Sequence, residues 1–369
     1  MENEDNKKST FKIDFGEQGI LFALLLVWLL LFVFVPSFRQ FGMLQSVLRG
    51  ASFIGICSVG MTLCIASKHF DQSVGAMAAF LGCTFGVLIR TFSQRPPQDT
   101  VGVTIRPDGI SYLGISDQGI LLVFIITIAI AIVCGLINGL LVAKLRIPAF
   151  IATLGTLNVL RGFAYLVTDN TPFAINQMIT VEQNTVFALL GSGKFLGIPV
   201  SFWVLIACAL FGQLVLRKMK LGRETLAIGN SVEASRISGI NIDLTKILVF
   251  TLLGFFTGVA AIMNTNFLGS INPGMLIGFE FDVITVVVLG GTALSGGKGS
   301  IFNSIIAAIF LVTIKTSLPF IPIISVHAHG MITGALLLLA FSMERIRYLV
   351  EGAGIKSKAR KEARIRVEV

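Results

Sequence analysis

Apolar residues fill long, nearly uninterrupted runs of this chain, and short polar stretches separate the runs. The runs begin near Ile20, Met43, Ser73, Gly119, Ala149, Ser201, Lys246, Phe281, Ile301 and Pro322. A helix that crosses a bilayer needs about 20 mainly apolar residues, and most of the runs reach that length. The pattern predicts an all-α, polytopic membrane protein with about ten transmembrane helices, some of them short enough to be broken or re-entrant.

The composition supports this class. The chain is 54% hydrophobic and only 13% charged, whereas soluble domains carry about 25% charged residues. The five cysteines all lie in apolar runs without Cys-x-x-Cys spacing, which indicates neither disulfides nor zinc. The three histidines (His69, His327 and His329) do not have the spacing of a metal site, so no metal is expected.

The distribution of Lys and Arg predicts the orientation, because basic loops stay on the cytoplasmic side. Segment 344–369 has eight basic residues against four acidic ones, and segment 217–246 has six against three, so both are expected in the cytoplasm. Segments 93–118 and 169–198 lack this excess and are expected outside. With ten spans, the N-terminus is then cytoplasmic as well.

These placements divide the chain into three parts. Residues 1–18 are expected to form a cytoplasmic N-terminal segment without the features of a cleaved signal peptide. Residues 19–343 form the transmembrane domain, and residues 344–369 form a basic cytoplasmic tail. Because the positive charge is concentrated in loops and the tail, membrane topology explains it better than nucleic-acid binding does.

A glycine-rich stretch, GGTALSGGKGS from Gly290 to Ser300, resembles part of the signature of ABC ATPases. It does not fit a phosphate-binding P-loop, because Thr292 and Gly299 stand where that motif needs Gly and Ser or Thr. The apolar runs leave no room for a nucleotide-binding domain, so the chain is not expected to be an enzyme. Five glycines within ten residues predict instead a break in helix that forms a gate. The residues assigned to it are Gly75, Gly290, Gly291, Gly296 and Gly297.

The polar stretch from Leu221 to Lys246 predicts a short helix over Ser231 to Ser238. Asn230 and Glu233 have the spacing of a capping box, and Gly239 suits a C-terminal cap. A short helix of mixed charge at the cytoplasmic face is suited to docking a soluble partner, although an ordinary loop helix has the same pattern.

Four motifs together resemble the permeases of bacterial ABC importers for simple sugars of the ribose, galactose and xylose type. They are FDQSVGAMAAF from Phe70, IPAFIATLGTLNVLRGFAYLVT from Ile147, AIGNSVEASRISGI from Ala227 and VVLGGTALSGGKGSIFNSIIAAI from Val287. The chain departs from the family pattern at Gln72, at Lys68 and His69, and at Ser231. These departures concern the identity of the sugar rather than the mechanism.

The resemblance implies the partners. They are ABC ATPase subunits that hold ATP and Mg, an extracytoplasmic sugar-binding protein, and a second permease chain, either identical or a sister permease. The chain itself would bind no cofactor and would lie in the bacterial inner membrane. The residues expected to couple to the ATPase are Arg223, Glu224, Asn230, Glu233, Arg236 and Gly239.

Polar residues within or beside the spans are candidates for the sugar path, because such residues are costly in a bilayer. The candidates are Asp71, Gln72, Asn138, Asn158, Arg161, Asn264 and Asn266. Capping of the helix near Ser73 is an equally good interpretation of Asp71, and Arg161 could instead extend towards the membrane surface.

Two other functions compete with the permease. A transporter driven by an ion or proton gradient commonly carries acidic residues in the middle of its spans. Here Asp71, Glu280 and Asp282 all lie near predicted ends of spans, which disfavours it. A membrane scaffold or enzyme is disfavoured because the loops contain no recognisable set of catalytic residues.

Overall fold

A computed structural model describes residues 15–93, 104–105, 111–112, 117–175, 185–320 and part of 330–342. Its helices are α1 (Phe15–Phe34), α2 (Phe41–Ala66), α3 (Val74–Ser93), α4 (Asp117–Ala143), α5 (Ala149–Val167), α6 (Thr185–Gly191), α7 (Val200–Lys218), α8 (Lys220–Asn230), α9 (Val232–Ile237), α10 (Ile242–Leu268), α11 (Phe279–Leu289) and α12 (Ile301–Ser317). Short 3-10 turns follow α1 at Pro36–Arg39 and α12 at Leu318–Phe320.

Seven helices in the described part of the chain are long and apolar enough to cross a membrane, which confirms a polytopic membrane protein. All seven begin within four residues of the starts predicted from the sequence. Helix α11 has only 11 residues, which is too short to span and agrees with the expectation of broken segments. The last predicted run, from Pro322, and the basic tail lie largely or wholly outside the described residues.

Helices α2 and α10 form the centre of the bundle. Most residues of α2 from Ala51 to Ala66 are buried, and α10 packs mainly on α4 and α2. Helices α4 and α10 cross where Gly135 and Gly254 face each other, and a Cβ on Gly254 would lie 2.9 Å from the Cα of Gly135. Small residues permit this close approach, on which helix packing in a membrane depends.

The described residues also form three antiparallel pairs of two-residue strands: β1 (Thr104–Ile105) with β2 (Ser111–Tyr112), β3 (Phe173–Ala174) with β6 (Ser270–Ile271), and β4 (Lys194–Phe195) with β5 (Ile198–Pro199). The β3–β6 pair lies where α5 and α10 end, and we name this the strand end of the bundle. The opposite end carries α8 and α9, and we name it the α8–α9 end.

Candidate functional site

The glycine-rich loop between α11 and α12 lies at the α8–α9 end. The predicted break is present, because α11 ends at Leu289 and α12 begins at Ile301. Gly296 and Gly297 have φ values of +79° and +78°, in the left-handed region that favours glycine. The amide N–H of Gly297 donates a hydrogen bond of 2.9 Å to the carbonyl oxygen of Ala66 at the end of α2. The loop is therefore attached to the last turn of α2.

The end of α8 packs into the same place. A Cβ on Gly229 would overlap the carbonyl oxygen of Ala66 and the amide nitrogen of Gly297. A Cβ on Gly296 would lie 2.8 Å from the carbonyl oxygen of Gly229. We name the contact between Ala66, Gly229, Gly296 and Gly297 the glycine junction. Because backbone touches backbone, a displacement of α8 must also move α2 or the loop.

Helix α9 corresponds closely to the predicted one, but the N-cap was wrong. Ser231, not Asn230, caps α9, since its hydroxyl oxygen accepts a hydrogen bond of 3.2 Å from the amide of Ala234. Asn230 is the last residue of α8. Gly239 follows the helix with a φ of +77°, as expected for a C-terminal glycine.

The predicted coupling residues do not share one surface. Glu233 and Arg236 are exposed on α9 and form an ion pair of 3.5 Å. Glu224 accepts a hydrogen bond of 3.0 Å from Thr245 Oγ1, which attaches α8 to α10. Arg223 Nη1 donates to the carbonyl oxygen of Lys218 at 2.9 Å. Glu224 is therefore held against α10, whereas the α9 pair, Arg223, Asn230 and Gly239 are exposed.

Ile237, at the end of α9, was not among the residues predicted from the sequence, and its exposed fraction is 83%. It is an apolar residue in a short polar helix, and that contrast is the signal that would have identified it. Such an exposed apolar side chain is suited to insertion into a partner.

Asp71 and Asn138 are brought together between α2, α3 and α4. The carboxylate of Asp71 accepts hydrogen bonds from the amide and hydroxyl of Ser73 at 2.7 and 2.6 Å, and from Asn138 Nδ2 at 3.0 Å. Burial raises the pKa of Asp71, whereas the hydrogen bonds from Ser73 and Asn138 oppose the shift. The backbone N–H of Gln72 donates a hydrogen bond to Thr153 Oγ1 at 3.1 Å. These contacts fix the turn that leads into α3, and Asp71 bonds to the residue just before the helix rather than to an amide of its first turn.

The two candidates on α5 lie apart from Asp71. Asn158 is exposed, and its amide donates to the Leu154 carbonyl of its own helix at 2.9 Å. Arg161 Nη1 donates to the carbonyl oxygens of Pro273 and Met275 at 2.9 and 2.6 Å. Arg161 therefore holds the loop before α11 and does not extend freely towards the membrane surface.

Asn264 and Asn266 are buried in α10. Within the described ranges, Asn264 Nδ2 and both amide atoms of Asn266 have no hydrogen-bond partner. Asn264 lines a small cavity together with Phe53, Ala78, Leu276 and Phe279, among others. The cavity, of about 10 Å³, is at the lower limit for one water molecule. These unsatisfied buried amides are the strongest indication of a polar path in the described fold.

Gly75 does not mark a break, contrary to the prediction. It lies in the first turn of α3, and its Cβ would overlap the carboxylate of Glu280 and lie 2.8 Å from the carbonyl oxygen of Leu276. Its small size allows the start of α11 to pack closely against α3.

His69, in the loop between α2 and α3, supplies a prediction about pH. Burial, together with the nearby positive charge of Lys246, lowers its pKa to about 4, whereas an unfolded histidine titrates near 6.5. Between these values the unfolded chain binds more protons, so stability falls as the pH falls from about 6.5 to about 4. In detergent, the difference in melting temperature between the natural protein and His69→Gln should shrink or reverse between pH 7 and pH 4.5. An equal difference at both pH values would contradict the assignment.

The comparisons with known proteins agree with this architecture. The family model described as "Branched-chain amino acid transport system / permease component" matches residues 43–341. The L-arabinose transport system permease protein AraH of Escherichia coli is 32% identical over 344 residues, which cover 92% of this chain and 94% of the relative. The ribose import permease protein RbsC of Escherichia coli is 33% identical over 295 residues, which cover 80% and 83% of the two chains. No solved structure matches the chain.

Proposed function

This chain belongs to the family of permease components of ABC importers for sugars, and we propose that it moves a simple sugar when a separate ATPase chain acts on its α8–α9 segment. The sugar class is a pentose, a hexose or a related polyol. The protein is a multi-pass protein of the bacterial inner membrane.

The glycine junction is the observation that carries the proposal. An ATPase bound to the exposed surface of α9 would displace α8, and Gly229 would transmit the displacement to Ala66 and Gly297. From there it would reach α2 and the ends of α11 and α12. The chain would contribute the path and the gate, while the ATPase would hold ATP and Mg and supply the free energy for the shift between states.

This mechanism sets the orientation. The α8–α9 end would face the cytoplasm, in agreement with the Lys and Arg of segment 217–246, and both termini would lie on that side of about ten spans. The strand end would face outwards and receive the sugar from an extracytoplasmic binding protein. The external insertions 93–118 and 169–198 would belong to that surface.

The proposed path runs along the polar residues of the spans. Asn264 and Asn266 offer unsatisfied amides to sugar hydroxyls. Asp71, Gln72 and Asn138 lie closer to the α8–α9 end, beside the start of α3, while Arg161 positions the loop before α11. These assignments rest on the position of the polar residues within or beside the spans and, for Asn264 and Asn266, on their unsatisfied amides.

A second permease chain would pack against α5. A Cβ on Gly155 or Gly162 would meet no atom within 4 Å, and the exposed Asn158 lies between them. An amide in the middle of an exposed membrane face is poorly solvated by lipid, and small residues allow a neighbouring helix to approach. A homodimer is the simplest form of this arrangement, and a sister permease could replace one copy.

Reconstitution tests the proposal. The chain would be purified in mild detergent with an ABC ATPase and a sugar-binding protein from the same organism, and uptake of L-arabinose and ribose would be measured in proteoliposomes. We expect two permease chains per complex and uptake that requires ATP, the ATPase and the binding protein. Uptake by this chain alone, driven by an ion gradient without ATP, would instead identify a secondary transporter.

A further inference from the structure

The short helix α11 is separated from the neighbouring chain by glycines on both sides. Gly278, directly before it, has a φ of +81°, and Gly291, after it, has a φ of +86°. Both values lie in the left-handed region, where glycine alone is freely accommodated. These glycines give the backbone on both sides of α11 the conformational freedom that a hinge needs.

The first residue of α11 helps to close the cavity beside Asn264. Phe279 and Leu276 line that cavity with Phe53 of α2 and Asn264 of α10. Asn264 is only 8% exposed, and its Nδ2 has no hydrogen-bond acceptor among the described residues. A buried donor without a partner costs about 1 to 3 kcal/mol. A ligand oxygen that reached this nitrogen would recover that cost, and Phe279 and Leu276 line the cavity beside Asn264 in this conformation.

An ion pair holds α11 in this place. Lys315 Nζ of α12 lies 2.5 Å from Asp282 Oδ1 in the first turn of α11, and the two side chains are 22% and 13% exposed. Within the described part of the chain, neither residue forms another ion pair. A largely buried pair adds little net stability, yet loss of one partner is costly because the other charge stays buried. Such a pair is suited to fixing one of two positions of a mobile helix.

We propose that α11 is a hinged plug, held over Asn264 by the Lys315–Asp282 ion pair, and that its release exposes the Asn264 amide to the hydroxyl groups of the sugar. The exposure of Asn264 to sugar rests on the proposed function. The hinge and the ion pair do not, since they follow from the fold of this chain alone.

Cysteine labelling tests the plug without sugar, ATPase or binding protein. The variant Asn264→Cys would be treated in mild detergent with a membrane-impermeant maleimide, and labelling of the protein without this change would be subtracted as background. With the ion pair intact we expect slow labelling. Lys315→Met should accelerate it by about tenfold or more, because the unpaired carboxylate of Asp282 no longer holds α11 in place.

The charge exchange Asp282→Lys with Lys315→Asp is the matched control, since it restores an ion pair at the same positions. We expect it to return the labelling rate to within about threefold of the slow rate. If α11 instead depended on the original side chains and not on the ion pair, the exchanged variant would still label fast. Asp282→Asn serves as a second release variant if Lys315→Met does not fold, which elution from size exclusion would show.

Equal labelling rates in the paired and release variants would overturn the plug, as would a charge-exchanged variant that labels as fast as the single ones. Because these rates need no transport, a negative result leaves the importer proposal intact. A failed reconstitution with ATPase would conversely leave the labelling result unaffected.

Discussion

Replacing Gly229 with alanine is expected to reduce ATP-driven sugar uptake by about tenfold or more. A tenfold loss corresponds to about 1.4 kcal/mol, which is near the lower end of the free energy that overpacking a close contact costs. The new methyl group would overlap the carbonyl oxygen of Ala66 and the amide nitrogen of Gly297. Neither backbone atom can move aside without a shift of α2 or of the glycine-rich loop. The measurement is the rate of uptake in proteoliposomes with the partner ATPase and binding protein, normalised to folded permease.

Gly42→Ala is the matched control for this substitution. Gly42 lies in the first turn of α2, and a Cβ there would meet no atom within 4 Å. The same change of side chain should leave uptake within about twofold of the natural rate, because alanine is favoured over glycine in a helix. A well-folded Gly229→Ala protein with normal uptake would show that transport does not need backbone contact at the junction.

Replacing Ile237 with serine is expected to weaken binding of the ATPase by about tenfold to a hundredfold, which is the effect of removing one buried apolar anchor from an interface. Ile237 is 83% exposed in the isolated chain, so its loss removes little from the permease itself. Binding would be measured by titrating the purified ATPase against the permease in detergent, and thermal unfolding would monitor the fold.

Leu196→Ser controls for a general loss of apolar surface, because Leu196 is 78% exposed at the strand end, away from α9. The affinity of the Leu196→Ser permease for the ATPase should equal that of the natural protein. The charge exchange Glu233→Arg with Arg236→Glu provides a further variant, since it keeps their mutual ion pair but reverses the charges that a partner would meet. If the affinity for the ATPase were unchanged in both α9 variants, the ATPase would not dock on α9.

The architecture was predictable because it depends on local chemistry. Long apolar runs must form helices in lipid, where each backbone group needs a partner within its own segment, and the observed spans begin close to the predicted positions. The break between Leu289 and Ile301 followed from its glycines for the same reason. The one local error, Asn230 for Ser231 as the cap of α9, arose because both residue types are good caps and they are adjacent.

The site was less predictable because its contacts join distant parts of the chain. Glu224 belongs to a polar stretch that predicted a docking surface, yet it bonds to Thr245 on α10. Gly75 was assigned to a break, whereas its small size makes room for Glu280, which lies far away along the chain. No periodicity links such pairs, since their proximity depends on how complete helices pack.

The sequence by itself thus determined that this chain is a bundle of membrane helices with a glycine break and a polar segment between two of its spans, and the four motifs identified its family. Hydrophobicity, glycine content and capping act within one segment, so they can be recognised in order along the chain. Only the tertiary structure decided that Gly229, Ala66 and Gly297 meet, that Ile237 projects, and that Asp282 pairs with Lys315. Those contacts arise from the packing of helices far apart in sequence, where one methyl group or one charge determines what fits.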